Sequence, residues 1–225
     1  MRRRYRLRVA LLLALATGVI GALASTQWVI GALRRVEAVE GERDRWQRPE
    51  DVIRSLALGE GMAVVDLGSG VGYFALKLAE RVGDSGRVLA VDVRRFPLAF
   101  LRLRAVLRAR RNIEFVRGEP DDPHLPPGTI DAVLVANTFH ELEDEASILG
   151  RVREALRPGG RLVVVDPAPD VAETGGRGPR AHRHESPGSA EARLRRAGFE
   201  IASRDDRFIE GGGHGSWWLI VARRP

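Results

Sequence analysis

The chain has 225 residues, with 36 Lys or Arg, 30 Asp or Glu, no Cys and a formal net charge of +6. That length suits one α/β domain with a substantial core plus an added segment, and the missing cysteines exclude thiolate catalysis, cysteine-held zinc and disulfides. Residues 1–35 carry seven Arg and no acid, whereas residues 36–225 carry 29 basic against 30 acidic residues, so the bulk of the chain lacks the basic footprint that a nucleic-acid partner requires.

The basic N-terminus encloses an uncharged run, Val9–Leu33. As a helix, those residues would extend about 37 Å, enough to cross a bilayer. Five Arg precede the run and two follow, which by the positive-inside rule predicts a cytoplasmic N-terminus and a domain outside. Ala22-Leu23-Ala24 offers a signal-peptidase site as the alternative, although the apolar run continues through Trp28, Val29 and Ile30. The expected organisation is a membrane anchor over 1–35, a charged connector over 36–48 and a folded domain over 49–225.

Pro49-Glu50-Asp51 places proline and acids in the first turn of a helix running to Leu58. Strand and helix patterns then alternate: β1 at Ala63–Asp66, a helix at Tyr73–Arg81, β2 at Arg87–Asp92, a helix at Phe96–Arg110, β3 at Ile113–Val116, and β4 at Ile130–Ala136. A helix at Ala146–Leu156, stopped by Pro158-Gly159-Gly160, precedes β5 at Arg161–Asp166. Apolar strands separated by helices predict a parallel sheet covered on both faces. Pro167–Gly188 reads as a long loop. A short helix at Ser189–Ala197 follows, and then two strands, Phe199–Ile209 and Ser216–Arg223, joined by a glycine-rich turn as an antiparallel hairpin. Trp217 and Trp218 are adjacent in the last strand, so they are expected on opposite faces. Arg102, Arg104, Arg108, Arg110 and Arg111 form a candidate basic patch, with a solvated helix face as the plainer reading.

The run Val64-Val65-Asp66-Leu67-Gly68-Ser69-Gly70-Val71-Gly72-Tyr73-Phe74 carries the chemistry. An apolar strand ends in an acid, and three alternating glycines lead into a helix. Glycines allow a sharp turn and close backbone approach to a ligand, and the helix start supplies N–H groups and partial positive charge. An acid at the strand end opposes a phosphate and suits a ligand bearing positive charge and hydroxyls. The rival, a dinucleotide turn of the form G-x-G-x-x-G, needs its third glycine one residue later.

This run resembles motif I of class I S-adenosylmethionine (SAM)-dependent methyltransferases. RDRWQRPEDVI, GEPDDPHLPPGTIDAVL and RVREALRPGGRLVVVD resemble the same bacterial branch, from Glu42 to the C-terminus. The resemblance implies a Rossmann-like, seven-stranded sheet of order 3-2-1-4-5-7-6, mostly parallel with a C-terminal antiparallel hairpin. SAM is the implied cofactor. Asp66, Gly68, Ser69, Gly70 and Gly72 would hold its methionine end, and Asp92 at the tip of β2 would accept both ribose hydroxyls. The family often has Gly-Asp after β3 to receive the adenine amino group; here Gly118 is followed by Glu119, with Asp121 as the substitute. Asn137, at the end of β4, is a further cofactor candidate. Asn137-Thr138-Phe139-His140-Glu141 occupies the substrate-facing position, with His140 and Asn137 as catalytic candidates and His140 the better proton acceptor. The segment lacks the [DNS]-P-P-[YF] pattern of DNA amino-methyltransferases, which again turns the expectation from nucleic acid to a small-molecule acceptor, and the expected membrane anchor suggests a lipophilic one. His182, His184, Glu185 and His214 show no metal-binding spacing, and no metal is expected. A membrane-tethered, non-catalytic scaffold on the same fold and a nicotinamide-dependent oxidoreductase are the alternative functions.

Overall fold

The computed structural model describes residues 26–169, 185–211 and 213–225. The chain divides into two compact units, 1–45 and 46–225. In the first, the described residues 26–45 are all helical (α1), so most of the expected connector over 36–48 is helix. Among the described residues no helix is long and apolar enough to cross a membrane. Most of the predicted span Val9–Leu33 lies outside the described residues.

The second unit is a seven-stranded sheet of order β3-β2-β1-β4-β5-β7-β6, built from β1 (Ala63–Leu67), β2 (Arg87–Asp92), β3 (Ile113–Arg117), β4 (Ile130–Ala136), β5 (Leu156–Pro167), β6 (Glu200–Ile209) and β7 (Trp217–Arg223). The first five strands pair in parallel, and β7 runs antiparallel to both β5 and β6. This is the expected order. Five helices accompany the sheet: α2 (Pro49–Ser55), α3 (Tyr73–Val82), α4 (Arg95–Leu107), α5 (Glu145–Ala155) and α6 (Pro187–Arg196).

Strand alternation divides the core into two layers. Val64, Val88, Ala90, Val163 and Val165 pack with α2 and α3, while Val65, Leu89, Val91, Leu162 and Val164 pack with α5 and α6. Trp217 joins the first layer and Trp218 the second, as the adjacent-tryptophan reading required. Every residue of β1 is buried, the pattern of a central parallel strand covered on both faces.

One local expectation is corrected. Pro158-Gly159-Gly160 does not separate a helix from β5; it forms an irregularity within the strand. Ile130 pairs with Leu156 and Ala132 with Arg161, so the extra residues bulge outward. Gly159 adopts φ 76°, and Gly159 and Gly160 exchange backbone hydrogen bonds with Arg224, tying the bulge to the C-terminus. A Pro-Gly-Gly turn and a Pro-Gly-Gly bulge share the same local signal.

Candidate active site

The carboxyl ends of β1, β2, β4 and β5 meet at one edge of the sheet, where an open α/β sheet binds ligands. The turn after β1 is held from three sides. The amides of Gly68 and Ser69 both donate to the Val91 carbonyl at 2.9 Å, and the Gly72 amide donates to Ser69. The Gly70 amide donates to Oδ2 of Asp92 at 2.9 Å. From below, Nη1 of Arg104 donates to the Val71 carbonyl at 2.6 Å. Arg104 is only 2% exposed, so it leaves the expected basic patch and serves as a brace under the glycine turn. Sequence reading missed this role because Arg104 lies among surface arginines.

The three glycines have different physical reasons. A Cβ on Gly68 would overlap the Thr138 side chain, and one on Gly72 would overlap Leu101; both residues also have positive φ. Gly70 has φ 53°, yet a Cβ there would meet nothing within 4 Å. The turn therefore presents Gly70 to open space while its neighbours are packed. Beside it, the buried hydroxyl of Ser69 has no hydrogen-bond partner among the described residues.

Asp66 and Asp92 are both buried, at 3% and 4% exposure. By strand alternation each shares the side of its sheet face that carries Val64, Val88 and Ala90. Oδ1 of Asp92 accepts from the Arg94 amide at 2.8 Å and from Arg94 Nε at 3.1 Å, and Arg94 Nη2 lies 3.3 Å from Oδ2. The Arg94 guanidinium thus rests across the carboxylate expected to receive ribose hydroxyls. The β3 loop joins the same edge: the Gly118 amide donates to the Asp92 carbonyl. Glu119 and Asp121 are exposed beyond it. The Glu119 amide donates to the Asp122 carbonyl, and His124 stands 3.9 Å from the Glu119 carboxylate.

The loop after β4 starts at Asn137, which is exposed, has φ 55° and donates its amide to Val165. A short 3-10 turn, Phe139–Glu141, follows. It turns His140 inward, so that Nδ1 lies 2.8 Å from Oδ2 of Asp166, which also accepts the His140 amide at 3.1 Å. The His140 side chain is 5% exposed and that of Asp166 0%. Burial works against the imidazolium, but the hydrogen bond and charge of Asp166, with the charge of Glu141, outweigh it and raise the His140 pKa above its ordinary value. Burial raises the Asp166 carboxyl above the usual carboxylate range, although its bonds with His140 and Thr138 oppose this. Asp166 is a functional candidate missed in the sequence. The available signal was an acid closing an apolar strand, as Asp66 and Asp92 do.

Tyr73 and His214 have plainer surroundings. Tyr73 is buried, edge-on to Phe74 at 4.8 Å, with Lys77 over its ring, a packing role. His214 stacks on Trp46 at 4.3 Å, and Trp217 lies 5.6 Å from the same indole. His182 and His184, with most of the Pro167–Gly188 loop, lie outside the described residues.

A family model described as a methyltransferase domain matches residues 58–196. The chain belongs to this methyltransferase family. The family and its solved structural neighbour imply S-adenosylmethionine as the cofactor. A crystal structure of a SAM-dependent methyltransferase from Aquifex aeolicus superimposes with a TM-score of 0.68 and 26% identity, covering 79% of this chain and 89% of that one. The demethylmenaquinone methyltransferase of Lactococcus lactis is 29% identical over 106 residues, covering 47% of this chain and 42% of its own length. The protein-L-isoaspartate O-methyltransferase of Methanothrix thermoacetophila is 36% identical over 111 residues, covering 48% of this chain and 49% of its own. The chain therefore spans about half the length of the curated relatives it matches. The acceptors in these relatives' names, demethylmenaquinone and protein L-isoaspartate, are of different kinds.

The residues present fit the cofactor. The Gly70 turn faces open space, the buried Ser69 hydroxyl has no hydrogen-bond partner among the described residues, and the buried Asp92 carboxylate accepts from the Gly70 amide. This arrangement disfavours the nicotinamide alternative, since the third glycine packs against Leu101 one position too early for a dinucleotide turn.

Proposed function

We propose that the protein transfers a methyl group from SAM to a small, lipophilic acceptor, and that Asp92 and the Gly68–Gly72 turn hold the cofactor. The carrying observation is the hydrogen bond from Gly70 to Asp92 beside an unfilled approach to Gly70. Asp92 would accept the ribose hydroxyls, displacing the Arg94 guanidinium that now engages it. Asp66 would attract the ammonium group. Glu119 or Asp121 would receive the adenine amino group, with Asn137 on the β4 side. When bound, the cofactor supplies a methyl group on a sulfonium leaving group, so the protein mainly positions reactants and excludes water.

His140 is the residue we assign to proton transfer. Asp166 engages Nδ1, which orients the ring, and Nε2 is the nitrogen assigned to receive the acceptor's proton. Glu141 stands 3.9 Å from Nε2. The lipophilic character of the acceptor is inferred from the uncharged run Val9–Leu33 and its arginine flanks, which we read as a membrane attachment. Supply of the cofactor argues for the cytoplasmic side, and a C-terminal reporter fusion reads this.

The test supplies the full chain with methyl-labelled SAM and a lipid-soluble extract. The proposal expects protein-dependent label in an organic-soluble small molecule, with S-adenosylhomocysteine formed in equal amount. Label confined to protein or nucleic acid would overturn the acceptor class, and cofactor binding without turnover over all fractions would favour a scaffold.

A further inference from the structure

We propose that the outer face of α4 is a docking surface for an anionic lipid membrane. The helix has two unlike sides. Leu98, Leu101, Arg104 and Ala105 turn inward and are buried. On the opposite side, positions 96, 99, 100, 103 and 107 recur at the helical spacing of three and four residues. Phe96 is 83% exposed and Leu107 60%, with Val106 beside them at 71%. Among the described residues of the second unit these are the most exposed large apolar side chains, followed by Val93 at 49%, which precedes the same helix. Scattered exposed apolar residues are ordinary, but a continuous stripe marks an interaction surface. Over 13 residues it extends about 20 Å.

Charge selects the occupant. Residues 93–111 contain seven Arg and no acid. Arg104 is consumed inside the fold, Arg94 lies on Asp92, and Arg110 pairs with Glu80 at 3.0 Å. Arg95 and Arg102 are exposed beside the stripe, and Arg111 is exposed just past the end of the helix. Arg102 lies over the Phe115 ring at 5.1 Å, a partner that leaves its charge intact. Apolar side chains flanked by long cationic ones match a helix lying in a membrane interface: the rings enter the acyl boundary and the guanidinium groups meet anionic headgroups. Nucleic acid would meet the arginines but bury the apolar stripe against phosphate. A second copy packed face to face would set one arginine border against another. Docking there also brings the cofactor edge to the lipid, since Arg95 opens α4 three residues after Asp92.

The chain has no Cys, so one introduced thiol reports one site. The full chain is labelled with an environment-sensitive fluorophore at Ala99→Cys, on the stripe, or at Ser203→Cys, on the edge strand β6 at the other end of the sheet. Each is mixed with vesicles of phosphatidylcholine alone or with added phosphatidylglycerol. The expected result is a blue shift at residue 99, absent at residue 203, that needs the anionic lipid and is reversed by salt. Replacing Arg95 and Arg102 with Gln raises the anionic-lipid concentration for half-maximal shift about 30-fold, with the thermal melt unchanged. Equal signals at the two sites, or a shift indifferent to lipid charge, would overturn the proposal. So would a lipid-free shift that grows with protein concentration, which assigns the face to a second copy, or one elicited by duplex nucleic acid instead of lipid.

Discussion

Nδ1 of His140 lies 2.8 Å from Oδ2 of Asp166, joining the loop after β4 to the tip of β5. The pairing gives a direct pH signature. Because Asp166 raises the His140 pKa against the opposing effect of burial, the neutral, proton-accepting form gains population only above the ordinary histidine value of about 6.5. A methyl transfer that uses this base therefore accelerates as pH rises through the elevated value.

Stability moves the other way. A folded pKa above the unfolded one means that the pair's contribution is complete below the unfolded value and fades as pH rises through the folded one. In Asp166→Asn the charge is gone while burial persists, so the His140 titration shifts to lower pH. NMR titration of the imidazole checks both directions. His140→Ala should lower kcat by about 100-fold or more while leaving S-adenosylhomocysteine affinity within about threefold; an unchanged kcat would remove the base role.

The glycine turn separates folding from binding. Gly72→Ala sets a Cβ against Leu101 at φ 94° and should cost about 2–4 kcal/mol of stability, from strain and overpacking together. Gly70→Ala meets no neighbour, though it still has φ 53°, and should cost only about 1 kcal/mol. It places a methyl group in the proposed path of the cofactor, so affinity should fall far more than stability. Thermal melts and calorimetric titration of both variants read this contrast.

Arg104 supports the same turn from the core. Arg104→Leu keeps apolar bulk but leaves the Val71 carbonyl without its donor, which should cost about 1–3 kcal/mol and loosen the cofactor site. Arg111→Leu, an exposed substitution a few residues on, should stay within about 0.5 kcal/mol. Denaturant midpoints of the two variants measure the difference.

Much of this arrangement was legible because parallel strands buried on both faces read as continuous apolar runs. Val88–Val91 and Leu162–Val165 announce strands without any tertiary information, and the acid after Val64-Val65 marks where the sheet edge turns functional. Motif I and the acid at the tip of β2 pointed to one end of the sheet, where the Gly70 amide donates to the Asp92 carboxylate. Three things were not legible. The Pro-Gly-Gly segment could end a helix or bulge a strand, and only its pairing with Arg224 decides. Arg104 differs from Arg102 and Arg108 by its angular position on α4, which puts it beside Leu101 and Ala105. The His140–Asp166 pair joins residues 26 apart in sequence, and no local pattern encodes which strand-tip acid a loop histidine will face.

The central claim is that Asp92 and the glycine turn form a SAM pocket. Its most direct measurement is calorimetric titration of S-adenosylhomocysteine into the full chain and into Asp92→Ala. Saturable one-to-one binding is expected, weakened about 10–100-fold in the variant through loss of charge-assisted hydrogen bonds to the ribose. No binding heat at millimolar ligand, or equal affinity in both proteins, would contradict the account.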